Sequence, residues 1–435
     1  MDTFEGRPGA YRGVWYCCGQ ATLLPGKTYV YSGPMATYSA WHRPMAVYVP
    51  EKEKTFFVFG DANNAPAIGC YDHQTARFQQ PIVLGNNPDG DAHRNPTLLI
   101  DHEGYLYVFY GAHGRTTRTL RSKHPYDMSE WTTCADILDT TYPQPWELLP
   151  GEMFVSYRGG GAREGTWWRI RKSIDKGQSW EEPKDLVAFD QCAVYGVTIA
   201  ASGTFPRRVH FTWSRLGGGT EEEKKTKHLW ARRYNVYYAY SDDGGTTWRK
   251  SDGTPYTLPI TEDTAEKIYD CGQRGVWLKD IQLDPAGNPC ILFLDADPAT
   301  YESQWKFLRQ TDKTWQLSEL TTSDHMYDDG GIVILHNQDF RVYAPTTNVQ
   351  PHEDGGDIEE WQSVDGGKTW HHGKSLTRGS RYSHNNVKVA FNHQQSNGDF
   401  RVFWSYGDSL FPPEQTEVLL YCYGETLIAP RQIEG

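Results

Sequence analysis

The 435-residue sequence predicts an all-β fold, a seven-bladed β-propeller with Asp-box turns, forming one domain over residues 1–435. Three observations carry this. Aromatic residues make up 14% of the chain, and Gly 42 and Pro 25 supply frequent turns, which favours short strands over long helices. A phrase of the form S-x-D-x-G-x-[TS]-W occurs as SIDKGQSW from Ser173, SDDGGTTW from Ser241 and SVDGGKTW from Ser363. Its spacing then divides the chain into about seven units, a repeat length typical of four-stranded propeller blades.

Each phrase has the chemistry of a tight turn. Asp175, Asp243 and Asp365 can accept from nearby backbone N–H groups, and Gly177, Gly245 and Gly367 allow positive φ. The closing Trp opens the next strand and packs between sheets. The runs before the phrases, TWWRIRKS, NVYYAYS and IEEWQS, read as strands. Ser173 to Ser241 spans 68 residues and Ser241 to Ser363 spans 122, so a degenerate copy is expected between them, at Gln310–Leu320. Weaker relatives lie at Ser122–Trp131 and near Tyr71. Such turns are stitching. They lack the remaining ligands of a calcium loop.

Composition narrows the function. A net charge of −12 argues against nucleic acid as a partner. No apolar run is long enough to span a membrane. The N-terminus MDTFEGRPGAYRG has neither a basic start nor an apolar stretch. The 8 Cys are scattered and read mostly as buried free thiols, with one or two disulfides left open. A monomer is expected.

Chemistry is expected where unrepeated polar residues interrupt strand patterns. In DGDAHRNPTLLIDHEGYLYVFYGAHGRTTR, His93 and His113 flank one predicted hairpin at the same end. Two imidazoles there suit acid–base work or a metal. In MFVSYRGGGAREGTWWRIRKS, Tyr157 ends a strand, and Arg169 and Arg171 share a face of the returning strand, where a guanidinium can clamp a carboxylate. His42 and Arg43 precede the first hairpin, and His325, Tyr327, Asp328, Tyr382, His384 and Asn385 form two further polar clusters. His325 and His384 are the candidate metal ligands.

Read in order, YRGVWY, HRPMAVYVPEKEKTFFVFG, DAHRNP, GAHG, RYNVYYAYSDDGGTTWRKSDGTP, TTSDHMYDDG and YSHNNVKV resemble a BNR/Asp-box propeller family of polysaccharide lyases. That family contains ulvan lyases and L-rhamnose-α-1,4-D-glucuronate lyases. The resemblance covers essentially the whole chain. It implies cleavage of rhamnose-(1→4)-glucuronate bonds by β-elimination, leaving an unsaturated uronate. It implies an acidic rhamnose- and uronate-containing polysaccharide as substrate, no organic cofactor, and a structural calcium or zinc. Its working set carries over onto His93, His113, Tyr157 and Arg171. His42, Arg43, Arg94, Asn95 and Arg169 are the expected substrate contacts. Arg94 replaces an acidic residue of many relatives, and with Arg115 it could host a sulfate. Action on a polysaccharide implies secretion, with a cytoplasmic location left open.

Two other readings compete. A sialidase-type hydrolase would need Arg43, Arg171 and Arg233 around one carboxylate, plus a Tyr/Glu pair whose Glu is not evident. A non-catalytic glycan-binding propeller would keep the aromatics and lose the acid–base set.

Overall fold

The computed structural model describes residues 12–24, 27–34, 36–61, 65–87, 91–160, 166–190, 192–201, 207–217, 233–297, 300, 302–347, 355–395, 400–407, 417–424 and 427–428. Most of the charged stretch 215–233, whose sequence reads as a long loop, either solvated surface or a wall of the site, lies outside them. The expected all-β class holds. Among the described residues the only helices are short 3-10 turns.

The strands form six antiparallel sheets. Three are simple four-stranded meanders, starting with Cys192–Ala200, Gly275–Leu283 and Gly331–Ile334. An eight-stranded sheet joins two such meanders where Arg115–Ser122 pairs with Ile137–Leu149. The sheet containing Ser383–Val389 takes up the N-terminal strands, Arg12–Leu24 pairing with Glu417–Tyr423.

The first strand of each meander touches the first strand of the next. After Ser383–Val389 the chain returns to the earliest of them: Tyr48 N–H donates to Phe391 O, and Phe391 N–H donates to Ala46 O. These inner strands all start at one end of the molecule and finish at the other. The Asp-box turns join third to fourth strands, so alternation of direction puts them at the finishing end. The degenerate copies sit at the same connection, at Thr311–Thr314, Ser122–Trp131 and Asp72–Arg77.

Aromatic side chains fill the space between sheets. Trp168, Phe211, Trp213 and Tyr237 stack in series with centroid spacings of 5.5, 4.9 and 5.6 Å. Of the five cysteines whose side chains are described, Cys70, Cys192, Cys271 and Cys290 are buried free thiols, as expected, and Cys134 is a half-buried one. Near the channel, buried Gln144 donates to Trp41 O and Gly196 O and accepts from Thr198 N–H, tying separate sheets together.

Three inner strands carry a bulge. Register slips between Thr141 and Gln144, between Leu278 and Asp280, and between Asn385 and Lys388. The extra residue re-aims a side chain that strict alternation would send elsewhere. Tyr142 and Asn386 accordingly sit at φ 57, a conformation rare for a bulky residue and enriched at functional sites.

Candidate active site

The starting end of the inner strands gathers the unrepeated polar residues. His93 lies in the 3-10 turn Ala92–Arg94, just ahead of strand Thr97–Ile100, and His113 follows strand Leu106–Tyr110. The predicted convergence of the two histidines is present: their rings stack at 4.0 Å with an 8° tilt.

Asp91 holds the pair. It caps the 3-10 turn through Oδ1, which accepts from His93 N–H at 2.9 Å and from His93 Nδ1 at 2.6 Å. Its Oδ2 accepts from His113 Nδ1. Burial pushes the His93 imidazole down to about 4, against the upward pull of Asp91. Burial alone would raise the Asp91 carboxyl, but its hydrogen bonds from His113 and His93 take it far below the usual range. His93 is therefore a neutral base near pH 7 beside a permanently charged carboxylate.

His42 braces this turn from behind. Ser39 N–H donates to His42 Nδ1 at 2.9 Å, so the ring proton is on Nε2, which donates to His93 O at 3.1 Å. Asn95 donates to Tyr38 O at 2.9 Å.

A second group closes the site. Tyr142 packs 5.6 Å from the His93 ring, centroid to centroid. The Arg158 guanidinium lies 4.9 Å from the Tyr142 ring and 4.8 Å from the Tyr195 ring. Arg233 lies 4.6 Å from the same Tyr195 ring and 4.9 Å from Trp41. Trp277 and Tyr327 complete its cage at 5.9 and 5.8 Å. Both arginines are buried. Burial raises both phenols, and Tyr142 stays high. For Tyr195 the charge and hydrogen bonding of Arg158 and Arg233 outweigh burial and bring it below its ordinary value. A guanidinium can hold a carboxylate bidentately.

Several expected site residues fall elsewhere. Tyr157 points to the opposite face from Arg158 and is 1% exposed, in a core cluster with Tyr107, Phe109 and Val155. Arg171 donates to Tyr157 Oη at 3.0 Å and to Glu181 O at 3.1 Å. Arg169 pairs with Asp139 and Asp185 at 2.9 and 2.7 Å. Arg169 and Arg171 thus each have partners of their own, whereas Arg158 and Arg233 both lie against the Tyr195 ring. Arg43 is held by Asp280 at 2.7 Å and by Ile281 O. Arg43, Arg171 and Arg233 consequently have separate partners and do not surround one carboxylate. His42 and Asn95 are buried, and their side chains meet the backbone carbonyls of His93 and Tyr38. Arg94, half-buried, shares the 3-10 turn of His93.

The metal expectation is also redirected. His384 uses both ring nitrogens, Nδ1 accepting from Trp404 Nε1 at 2.9 Å and Nε2 meeting Ser380 Oγ at 3.0 Å. His325 Nδ1 accepts from Tyr327 N–H at 3.1 Å. Among the described residues, the group with three candidate ligands within 4.8 Å is Asp91, His93 and His113. Its Nδ1 atoms face the carboxylate, and the nearly parallel rings hold their Nε2 lone pairs in two separate, parallel planes. Two such lone pairs do not converge on one ion at roughly 2.0–2.1 Å. The trio reads as a hydrogen-bonded dyad and its carboxylate.

Fold and site together define an all-β, propeller-type protein with a carboxylate-held histidine pair and two buried arginines at one end of its inner strands. The chain belongs to the BNR repeat-containing family, whose model matches residues 36–323. Among its relatives, Ulvan Lyase-PL25 of Pseudoalteromonas sp. (strain PLSV) is 25% identical over 369 residues, covering 74% of this chain and 73% of the relative. An ulvan lyase of Nonlabens ulvanivorans is 22% identical over 403 residues, covering 82% and 84%. The solved PL25 ulvan lyase bound to -[GlcA(1-4)Rha3S]- is 19% identical and superposes with a TM-score of 0.76 over 91% of this chain and 96% of that one. Its unbound form gives 0.78 over 98% and 99%.

Proposed function

We propose that this protein is a polysaccharide lyase that cleaves the rhamnose-(1→4)-glucuronate linkage of ulvan by β-elimination. One observation carries the reading: a carboxylate-anchored histidine pair lies beside two buried arginines packed on tyrosines. The curated relatives, ulvan lyases over about three quarters or more of this chain, support it.

The chemistry follows from the geometry. The C5 proton of a uronate is a weak acid. Arg158 and Arg233 neutralise the adjacent carboxylate and stabilise the enolate-like intermediate. His93 takes the C5 proton, and its new charge is balanced by Asp91. The electron pair forms the C4–C5 double bond as the C4–O bond breaks. Tyr142, which holds its proton firmly, donates it to the departing O4 oxygen. Tyr195 orients the two arginines, and His113 keeps His93 in line.

The closed form of this fold is a seven-bladed propeller. The eight-stranded sheet counts as two blades, and the return of Phe391 to Ala46 and Tyr48 supports closure. Incubation with ulvan tests the function. Ultraviolet absorbance from a conjugated unsaturated uronate is expected, and release of saturated sugar without it contradicts the reading.

A further inference from the structure

Asp91 does more than cap a turn. Capping requires one oxygen, Oδ1, accepting from His93 N–H, and Asn or Ser performs that task equally well. The second oxygen reaches His113, on the far side of the hairpin, and the first also takes His93 Nδ1. Its own backbone is pinned, since Asn87 Nδ2 donates to Asp91 O at 2.9 Å. An ionised carboxylate only accepts hydrogen bonds, so both Nδ1 atoms must carry protons.

We propose, building on the lyase reading, that Asp91 is the positioning residue of the reaction: it locks His93 and His113 together in the Nδ1–H tautomer, so that each neutral ring carries its lone pair on Nε2. The groups around the pair agree. Tyr38 meets His93 edge-on at 5.7 Å, Tyr142 packs on its other side, and His42 fixes its carbonyl. Arg158 and His113 both act on His93 by charge and oppose its protonation, while Asp91 favours it. With one anion between two stacked imidazoles, a proton arriving on His93 is balanced by Asp91.

The Asp91→Asn variant separates this role from capping. The amide oxygen preserves the cap and accepts from one histidine, but the amide nitrogen must donate to the other. That ring is forced into the Nε2–H tautomer and loses its lone pair there. Asp91→Ser keeps the cap and releases both rings.

The test uses the full chain labelled with 15N-histidine, with tautomers read from long-range proton–nitrogen correlations. Signals are assigned with His93→Gln and His113→Gln. The wild type is expected to show Nδ1–H at both rings, and Asp91→Asn should convert one of them to Nε2–H. On ulvan, kcat of Asp91→Asn should fall about 10³–10⁴-fold, with KM within about threefold and the unfolding temperature unchanged. An Nε2–H tautomer at either wild-type histidine overturns the proposal, even if the variants fail to fold. So does an Asp91→Asn enzyme with kcat within threefold of wild type. The spectra need no substrate, so a wild type without lyase activity would sink the functional reading while the tautomers still decide this one.

Discussion

The two ends of the molecule follow opposite rules. At the finishing end, three Asp-boxes repeat one self-contained pattern. Gly177, Gly245 and Gly367 N–H donate to the box serine at 2.9, 2.7 and 2.8 Å, and each box aspartate takes the backbone and hydroxyl of the Ser or Thr four residues on. These serine, glycine and aspartate bonds all close within one eight-residue phrase, and only the outer groups of a box reach farther, as where Gly244 N–H donates to Arg207 O and Trp370 Nε1 to Ser318 Oγ. At the starting end, Asp91, His93, His113, Tyr142, Arg158, Tyr195 and Arg233 come from distant strands, and bulges replace regular pairing. Repetition marks what the fold needs. Chemistry sits where the repeat breaks and buried charge depends on partners far along the chain.

Substitutions at the two ends should separate cleanly. The largest effect is expected for His93→Ala, with turnover on ulvan reduced by about 10²–10⁴-fold and the far-ultraviolet circular dichroism unchanged. Arg158→Ala should cost about 10²–10³-fold in kcat. Near-normal turnover in either variant would break the comparison.

At the other end, Gly367→Ala should destabilise by roughly 2–4 kcal/mol in denaturant titration, with turnover per folded molecule retained. Gly367 sits at φ +85, and an added Cβ would meet Phe307 Cε1. The smallest effect on activity is expected for Arg171→Ala, within about threefold of wild type in a side-by-side rate assay. Its side chain bonds Tyr157 and Glu181 rather than the histidine pair.

Acid should expose both ends together. Burial holds His42, His210, His325 and His384 at about 3, and His93 and His393 at about 4, against an ordinary 6.5. Their folded values lie below the unfolded one, so the unfolded chain binds more protons between these limits. Stability is fully present above 6.5 and falls as pH drops toward 4, with unfolding at pH 5 taking up about one proton per buried histidine. Denaturant midpoints measured from pH 7 to pH 4 check this slope.

Much of the fold was legible in the sequence because its signals are local. The box phrases lie within eight residues, and their degenerate copies at Gln310 and Ser122 fall on the same third-to-fourth strand connection. His93 and His113 were legible for the same reason, being the two ends of one hairpin. Asp91 was within reach, since an aspartate two before a histidine at a turn is a capping signal. The carboxylate clamp was not. Tyr157 and Arg158 are neighbours on a strand, and period two sends them to opposite faces, so a one-residue error exchanges core for site. Tyr142 reaches the site through a bulge that no periodicity announces. Tyr195 and Arg233 meet Arg158 only because the sheet that starts with Cys192–Ala200 packs against the eight-stranded sheet.

The central claim is that Arg158, not Arg171, neutralises the uronate carboxylate next to the histidine pair. It is tested most directly by the rate of ultraviolet absorbance gain on ulvan for wild type, Arg158→Ala and Arg171→Ala, all confirmed folded. The account predicts a loss of at least about a hundredfold for Arg158→Ala and near-wild-type turnover for Arg171→Ala. The reverse order, or equal activity in all three, would contradict it.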